Sequence, residues 1–283
     1  MTPTILLGIV TRNRASILLK AVSSALSQRG CQVRVAIIDN GSTDGTAELA
    51  HQFPTVEWTR WPSNRGQMAA RNYWMTSAYE DYFVGLDDDA WFVQGDEIEV
   101  AVSVLERDRE VAAVAFDIIS PDRPNRMPRG KQHLTPLFTG CGHVLRLAAV
   151  REVGVYELMP GIYGGEEKDL CLRLLDAGYK IVRLPGVHVW HEKTPVSRDR
   201  LAQYRSAVCN DLAITLWRTP APLLPAALVA RCYWYLKFSL KRGLTRPCLG
   251  GFGLFARSVP AILRSRRPVK AATLHAFKRL AKI

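Results

Sequence analysis

Strand-like and helix-like segments alternate over the first ~90 residues, and this alternation predicts an α/β fold with a mostly parallel sheet flanked by helices. A second observation gives that sheet a working edge. Asp87-Asp88-Asp89 closes the apolar run Tyr82-Phe83-Val84-Gly85-Leu86, and open α/β sheets bind ligands in the crevice beyond the carboxyl ends of their strands. The third observation is an uneven charge. Of 283 residues with a net charge of +12, those from 193 onward hold 18 Lys and Arg against two acids, whereas the first 192 hold 20 against 24. A mildly acidic domain over 1–192 is thus expected to carry a basic helical region over 193–283.

Residues 4–10 are short, apolar and strand-like, and the polar turn Thr11-Arg12-Asn13-Arg14 leads into a helix over about 15–28. A second strand over 33–38 ends in Asp39-Asn40-Gly41-Ser42-Thr43-Asp44-Gly45-Thr46, dense in turn formers and hydroxyls. A short helix, a strand near 56–60 and a helix opened by Asn64-Arg65-Gly66-Gln67 precede the acidic triplet. Beyond it a helix is expected over 97–107 and a strand over 111–118. Residues 120–136 form a long Pro- and Arg-rich loop. Gly140-Cys141-Gly142 enters another strand with room for close backbone approach. Glu166-Glu167-Lys168-Asp169 begins a helix, and taken alone the macrodipole accounts for its acids. Short strands are expected over 179–184 and 187–190, followed by His191.

The basic region holds an expected helix over 201–217, a Pro-rich break, and an apolar, aromatic stretch over 223–240 interrupted by Pro225, Arg231 and Lys237. Basic amphipathic segments with Trp and Tyr suit a membrane interface, and Lys241-Arg242 and Arg264-Ser265-Arg266-Arg267 would add attraction to anionic lipid. A solvated helical subdomain accounts for the same residues. No nucleic-acid module accompanies the charge, which argues against that partner. No secretory signal or stretch of about 18 apolar residues is read, and six cysteines without CxxC spacing suit reduced thiols. The expected location is cytoplasmic, peripheral on the inner face of the membrane.

Judged by itself, the acidic triplet is equally an acidic turn or a site for a hard divalent cation, because three like charges need water or a counter-ion. Several stretches in order carry a more specific pattern: Val10 to Arg14, Ile38 to Thr46, Asn64-Arg65-Gly66 with Ala69-Ala70-Arg71-Asn72, Leu86 to Asp89, Gly140 to Gly142, and Gly165 to Leu170. Together they resemble the family 2 glycosyltransferases of the GT-A fold, including the rhamnosyltransferase-like bacterial members, over residues 4–192. The resemblance implies a nucleotide-binding half over 1–95 and an acceptor half over 96–192. It implies that Asp39 meets the base of a nucleotide sugar, with Thr11, Arg12, Asn40 and Ser42 around base and ribose. Asn64, Arg65, Gly66 and Arg71 would hold nucleoside and diphosphate, with Asp88 near ribose or sugar and Gly140 and Gly142 beneath the donor or acceptor.

The same resemblance puts Mg²⁺ or Mn²⁺ on Asp87 and Asp89, with His191 as a further ligand. His188 is read instead as a packed histidine. The general base falls on Glu167, although Glu-Glu replaces the family's usual Glu-Asp and leaves Glu166 as the alternative. Asp169 would support the base or meet the acceptor. The implied reaction is inverting transfer of a sugar from a UDP- or dTDP-sugar, with a GDP-sugar possible and rhamnosyl transfer one version. A hydroxyl of a glycan, lipid-linked or cell-surface precursor would receive it. Three other readings are weighed. A sugar-phosphate nucleotidyltransferase lacks its Gly-rich loop here, and a phosphatase is disfavoured by Trp91. A non-enzymatic basic membrane- or nucleic-acid-binding protein remains.

Overall fold

Seven largely buried residues, Ile5–Thr11, form the central strand β1, and its neighbours follow from the alternation read in the sequence. In the computed structural model, which describes residues 2–125, 128–194 and 199–282, β1 pairs in parallel with β2 (Val33–Asn40) and β4 (Tyr82–Asp87), and β2 pairs with β3 (Glu57–Trp61). Helices α1 (Ala15–Leu26), α2 (Gln67–Ser77) and α3 (Glu97–Arg107) cross between strands, and a 3-10 turn spans Ala47–Gln52. The sheet continues through β8 (Gly142–Arg146), β6 (Val111–Ile119), β9 (Lys180–His191) and β5 (Ala90–Phe92), giving the order β3-β2-β1-β4-β8-β6-β9-β5, with β7 (His133–Leu134) paired to β9. Strand β8 runs antiparallel to β4 and β6, and β5 antiparallel to β9. This mixed sheet flanked by helices is the predicted fold class.

One consequence of that register positions everything discussed below. Asp87 and His191 end their strands, Asp39 is the last but one of β2, and Gly142 and Ala90 begin antiparallel strands, so all five lie on a single edge of the sheet.

Several local expectations change. Asp87 ends β4, but Asp88 and Asp89 form the turn into β5. The two strands expected over 179–184 and 187–190 are one strand with an irregular register opposite Phe116 and Asp117. Asp117 explains the continuity: it accepts from the Gly186 N–H at 2.8 Å and from Arg183 Nε at 2.7 Å, which holds the Pro185-Gly186 kink inside the strand. The loop 120–136 contains β7 and a bridge between Ser120 and Arg123; its Arg126 and Met127 lie outside the described residues. A helix not anticipated, α4 (Leu147–Val153), follows β8 directly.

The chain divides into two compact units, Met1–Tyr156 with Ala177–Ser197, and Glu157–Asp176 with Arg198–Ile283. A boundary at residue 192 would put 157–176 with the sheet; by contacts this segment groups with the C-terminal helices. Residues 195–198, at that junction, lie outside the described residues. The second unit consists of α5 (Glu166–Asp176), α6 (Arg200–Arg218), α7 (Leu224–Arg242), α8 (Thr245–Arg264) and α9 (Ala271–Leu280). Asp199 caps α6 by accepting from the N–H groups of Leu201 and Ala202, both at 3.0 Å. Helices α6 and α8 meet closely at Gly251, where any Cβ would collide with Val208. No helix among the described residues is long and apolar enough to cross a membrane.

A buried ion pair ties α5 to α6. Asp169, wholly buried, receives Arg218 through Nε on Oδ1 at 2.5 Å and Nη2 on Oδ2 at 3.1 Å, and Arg173 Nε on Oδ2 at 2.8 Å. Removing one partner of such a pair strands a buried charge. Arg218→Ala should therefore destabilise the helical unit by about 3–5 kcal/mol, read as an earlier loss of helical circular dichroism in urea. An Asp169→Leu, Arg218→Met double variant should recover part of that loss.

Candidate functional site

The loops that leave β1 and β2 are sewn together before they reach any ligand. Asn13, with φ of 53°, donates its N–H to Ser42 Oγ at 2.9 Å, and its Oδ1 accepts from the Thr43 N–H at 2.8 Å. Asp39 is buried, and one oxygen accepts from the Ser42 N–H at 2.8 Å, a local turn bond. Its other oxygen has no hydrogen bond and faces Arg60 Nε at 3.8 Å. A cleft of about 360 Å³ opens beside it, walled by His51, Trp58 and Arg60.

A second set of bonds builds the entrance to α2. Asn40 accepts from the Arg65 N–H at 2.8 Å and donates to Asn64 Oδ1 at 3.0 Å. Asn64 Oδ1 also accepts from the Gly66 N–H at 2.9 Å. Gly66 precedes α2 at φ 85°, a backbone state that a side chain would strain. Arg65 stacks over Trp61 at 5.0 Å, and Arg12 is exposed after β1.

Among the described residues, Arg14 and Arg71 meet the acidic triplet. Arg14 Nη1 lies 2.6 Å from Asp88 Oδ1 and 3.5 Å from Asp89 Oδ2, and Thr11 Oγ1 donates to Asp88 Oδ2 at 2.9 Å. Burial nevertheless pushes the Asp88 carboxyl up to about 6; Arg14 opposes this, while Asp89 and Asp87 reinforce it. Arg71, buried in α2, places Nη2 2.8 Å from Asp87 Oδ1 and 2.7 Å from the Gly140 carbonyl. Gln67 Nε2 donates to the same Asp87 oxygen at 3.1 Å. Asp89 is wholly buried; its Oδ2 accepts from the Thr194 N–H at 3.1 Å, and its Oδ1 lies 3.3 Å from His191 Nε2.

The donor atoms of Asp87, Cys141 and His191 lie within 4.8 Å of one another. Carboxylate, imidazole and thiolate are all ligands for divalent ions, so this donor set fits one. Asp87, Asp89 and His191 were expected at such a centre; Cys141 was not. Arg14 and Gln67 were given no site role from the sequence, although both stand in motifs that lead into helices. Gly142 packs tightly against Val189 of β9. His188 hydrogen-bonds through its N–H to Gln94 Oε1 at 2.9 Å and is buried, the packed histidine expected.

In the second unit, Glu166 and Glu167 open α5 after Gly164 and Gly165, both with positive φ. Asn210 of α6 clamps this approach: Nδ2 donates to the carbonyls of Gly161, Tyr163 and Gly164, and Oδ1 accepts from the Gly161 N–H at 2.7 Å. Glu166 is buried and Glu167 half-buried. Asp169 has both oxygens in the Arg218 and Arg173 pairing, so it serves as a structural counter-ion, which leaves no oxygen of the carboxylate unpaired for an acceptor.

This mixed sheet, with its helices and an Asp-Asp-Asp turn at one edge, matches the GT-A class of α/β proteins. The chain belongs to glycosyl transferase family 2, whose family model matches residues 7–154; that of glycosyl transferase family group 2 matches 131–264. The pre-mycofactocin glycosyltransferase of Mycobacterium tuberculosis is 29% identical over 93% of this chain and 57% of its own length. The chain thus spans a little over half the length of that curated relative. Two solved structures share the fold: the mannosyltransferase PcManGT of Pyrobaculum calidifontis, in complex with GDP-Man and Mn²⁺, and S. aureus TarS in complex with UDP-GlcNAc. The first has a TM-score of 0.61 at 17% identity, over all of this chain and 80% of its own. The second has 0.66 at 12%, over 94% and 82%.

Arg71 joins Asp87 to the Gly140 carbonyl with one nitrogen, a geometry that a lysine ammonium meets only by moving. Arg71→Lys should keep the fold but cost about 1–3 kcal/mol, measured by thermal and urea unfolding.

Proposed function

We propose that this protein transfers a sugar from a nucleoside-diphosphate sugar to an acceptor hydroxyl, with a divalent cation, Mg²⁺ or Mn²⁺. The observation that carries the reading is the convergence of Asp39, Asp87, Asp89, Arg71 and His191 on one sheet edge, in a chain of this family. Donors named with the two structural neighbours, GDP-Man and UDP-GlcNAc, support a nucleotide sugar without choosing its base. UDP- or dTDP-sugars are the favoured donors.

In this proposal Asp39 accepts an N–H of the base through the oxygen that has no hydrogen bond, with Thr11, Arg12, Asn40 and Ser42 around base and ribose. Asn64, Arg65 and Gly66 shape the loop that approaches the nucleotide, and Gly140 and Gly142 keep the start of β8 low. Asp87, Asp89 and His191 would hold an ion, which supplies charge neutralisation for the departing diphosphate. Arg71 fixes the orientation of Asp87, and Arg14 and Thr11 that of Asp88. Glu167, or Glu166 beside it, takes the proton of the acceptor hydroxyl as that oxygen attacks the anomeric carbon. Direct displacement inverts the configuration there.

The acceptor is proposed as a glycan or lipid-linked precursor, and the second unit offers the reason. On α7, Val229, Tyr233, Leu236 and Leu240 are exposed in one row, beside exposed Trp234, Lys237 and Lys241. An apolar stripe edged by cations suits the interface of an anionic bilayer.

Three measurements test these readings. Calorimetry of UDP, dTDP and GDP with Mn²⁺ should show metal-dependent binding of at least one, and none at all would favour a non-enzymatic basic protein. Asp89→Ala should abolish metal-dependent transfer or hydrolysis of the matching sugar nucleotide; full activity in that variant sinks the proposal. Glu167→Gln should lower kcat by about 10²–10⁴-fold with donor binding retained, and a loss in Glu166→Gln alone would move the base by one residue. Separately, the protein should sediment with phosphatidylglycerol vesicles and not with phosphatidylcholine ones. That binding should weaken with salt and in Lys237→Glu, Lys241→Glu.

A further inference from the structure

We infer that Cys141 is a thiolate ligand of the divalent ion, which would make this a mixed oxygen, nitrogen and sulfur centre. The inference rests on the metal-dependent reading above and adds to it a residue of this chain.

The register of the sheet creates the arrangement. Gly142 pairs with Leu86, so the residue before Gly142 comes level with Asp87, the residue after Leu86. Strand β9 brings His191 to the same edge, where it pairs with Ala90. Sulfur, imidazole nitrogen and carboxylate oxygen then lie within 4.8 Å of one another. Around a tetrahedral ion with bonds of about 2.0–2.3 Å, ligand atoms stand about 3.3–3.8 Å apart, so the triangle would close by about 1 Å on binding. Cys141 is only 2% exposed, which shields a thiol from oxidants and leaves the sulfur facing the protein. His191 Nε2 is fully buried and makes no hydrogen bond; its near neighbour is Asp89 Oδ1 at 3.3 Å. One ring nitrogen of His191 thus joins Asp87 and Cys141 in a group that could take an ion, and Nε2 also neighbours Asp89.

The sulfur changes which ion is held. Oxygen ligands suit Mg²⁺ and Mn²⁺, whereas thiolate favours Zn²⁺ and Co²⁺. Coordination also takes the thiol proton, so binding should release about one proton more than in a variant without the sulfur. The flanking residues are small for a reason in keeping with this. Gly142 already lies against Val189 and Ile118, so a side chain there would push the start of β8 and the Cys141 sulfur away.

The test is optical and needs no turnover. Co²⁺ is added to the full chain with UDP and, separately, with GDP, and the near-ultraviolet thiolate-to-cobalt charge-transfer band is recorded beside the visible d–d bands. The wild type should show both; Cys141→Ser and Cys141→Ala should keep d–d bands and lose the charge-transfer band. A Cys31→Ser control should keep both. Zn²⁺ affinity should fall about tenfold or more in the Cys141 variants, with Mg²⁺ affinity changing much less. Cobalt bound by the wild type without the charge-transfer band overturns the inference and leaves the metal-dependent reading intact. No cobalt bound under either nucleotide overturns both. Should Cys141→Ser fold poorly by circular dichroism, Cys141→Ala and the wild-type spectrum still decide.

Discussion

Three adjacent carboxylates, two of them buried, must be kept at one edge of a sheet, and most of the nearby structure answers that demand. Like charges at such separations repel strongly where water is excluded. The loop after β1 sends Arg14 and Thr11 to Asp88, and α2 sends Arg71 and Gln67 to Asp87. The end of β9 sends His191 and the Thr194 N–H to Asp89. The partners come from three different parts of the chain, so correct pairing of the acids also fixes how β1, α2, β4 and β9 meet. Arg14 and Arg71 set guanidinium charge against these carboxylates.

That constraint also explains what could be read from the sequence. Apolar runs, turn residues and the place of the acids sufficed for β1, β2, β4 and α3, because each is decided by local pattern. The α3 limits of 97–107 were legible because Glu97 begins that helix as an anchor: buried, it accepts from the N–H groups of Val93, Gln94 and Gly95. The continuity of β9 was not legible. Pro185-Gly186 looks like a break, and only Asp117, far away in sequence, keeps the strand whole. Cys141 escaped for a related reason. Its approach to Asp87 depends on antiparallel pairing between β4 and β8, and a single sequence carries no record of pairing register.

Asp169 shows a different limit. It stands in the acidic start of α5, where the resemblance implied a role beside the catalytic base. Yet its carboxylate is closed by Arg218, some 50 residues later, and by Arg173 one helical turn away. Residue type and motif position place a carboxylate; only its partners reveal whether it can still take a proton.

The arginines at the acidic edge bear on how an ion would be taken up. Guanidinium is charged at any working pH and cannot be titrated away, so Arg14 and Arg71 weaken the attraction of this edge for a divalent cation. A nucleoside diphosphate brings negative charge of its own and restores that attraction. On the proposed reading, ion and nucleotide would then bind better together than either does alone, a coupling that is necessarily reciprocal. A thiolate from Cys141 would act in the same direction for zinc or cobalt by adding one further negative ligand. On this reading, the acidic turn, the arginines that meet it and the sulfur beside it would together set when an ion is held and which ion it is.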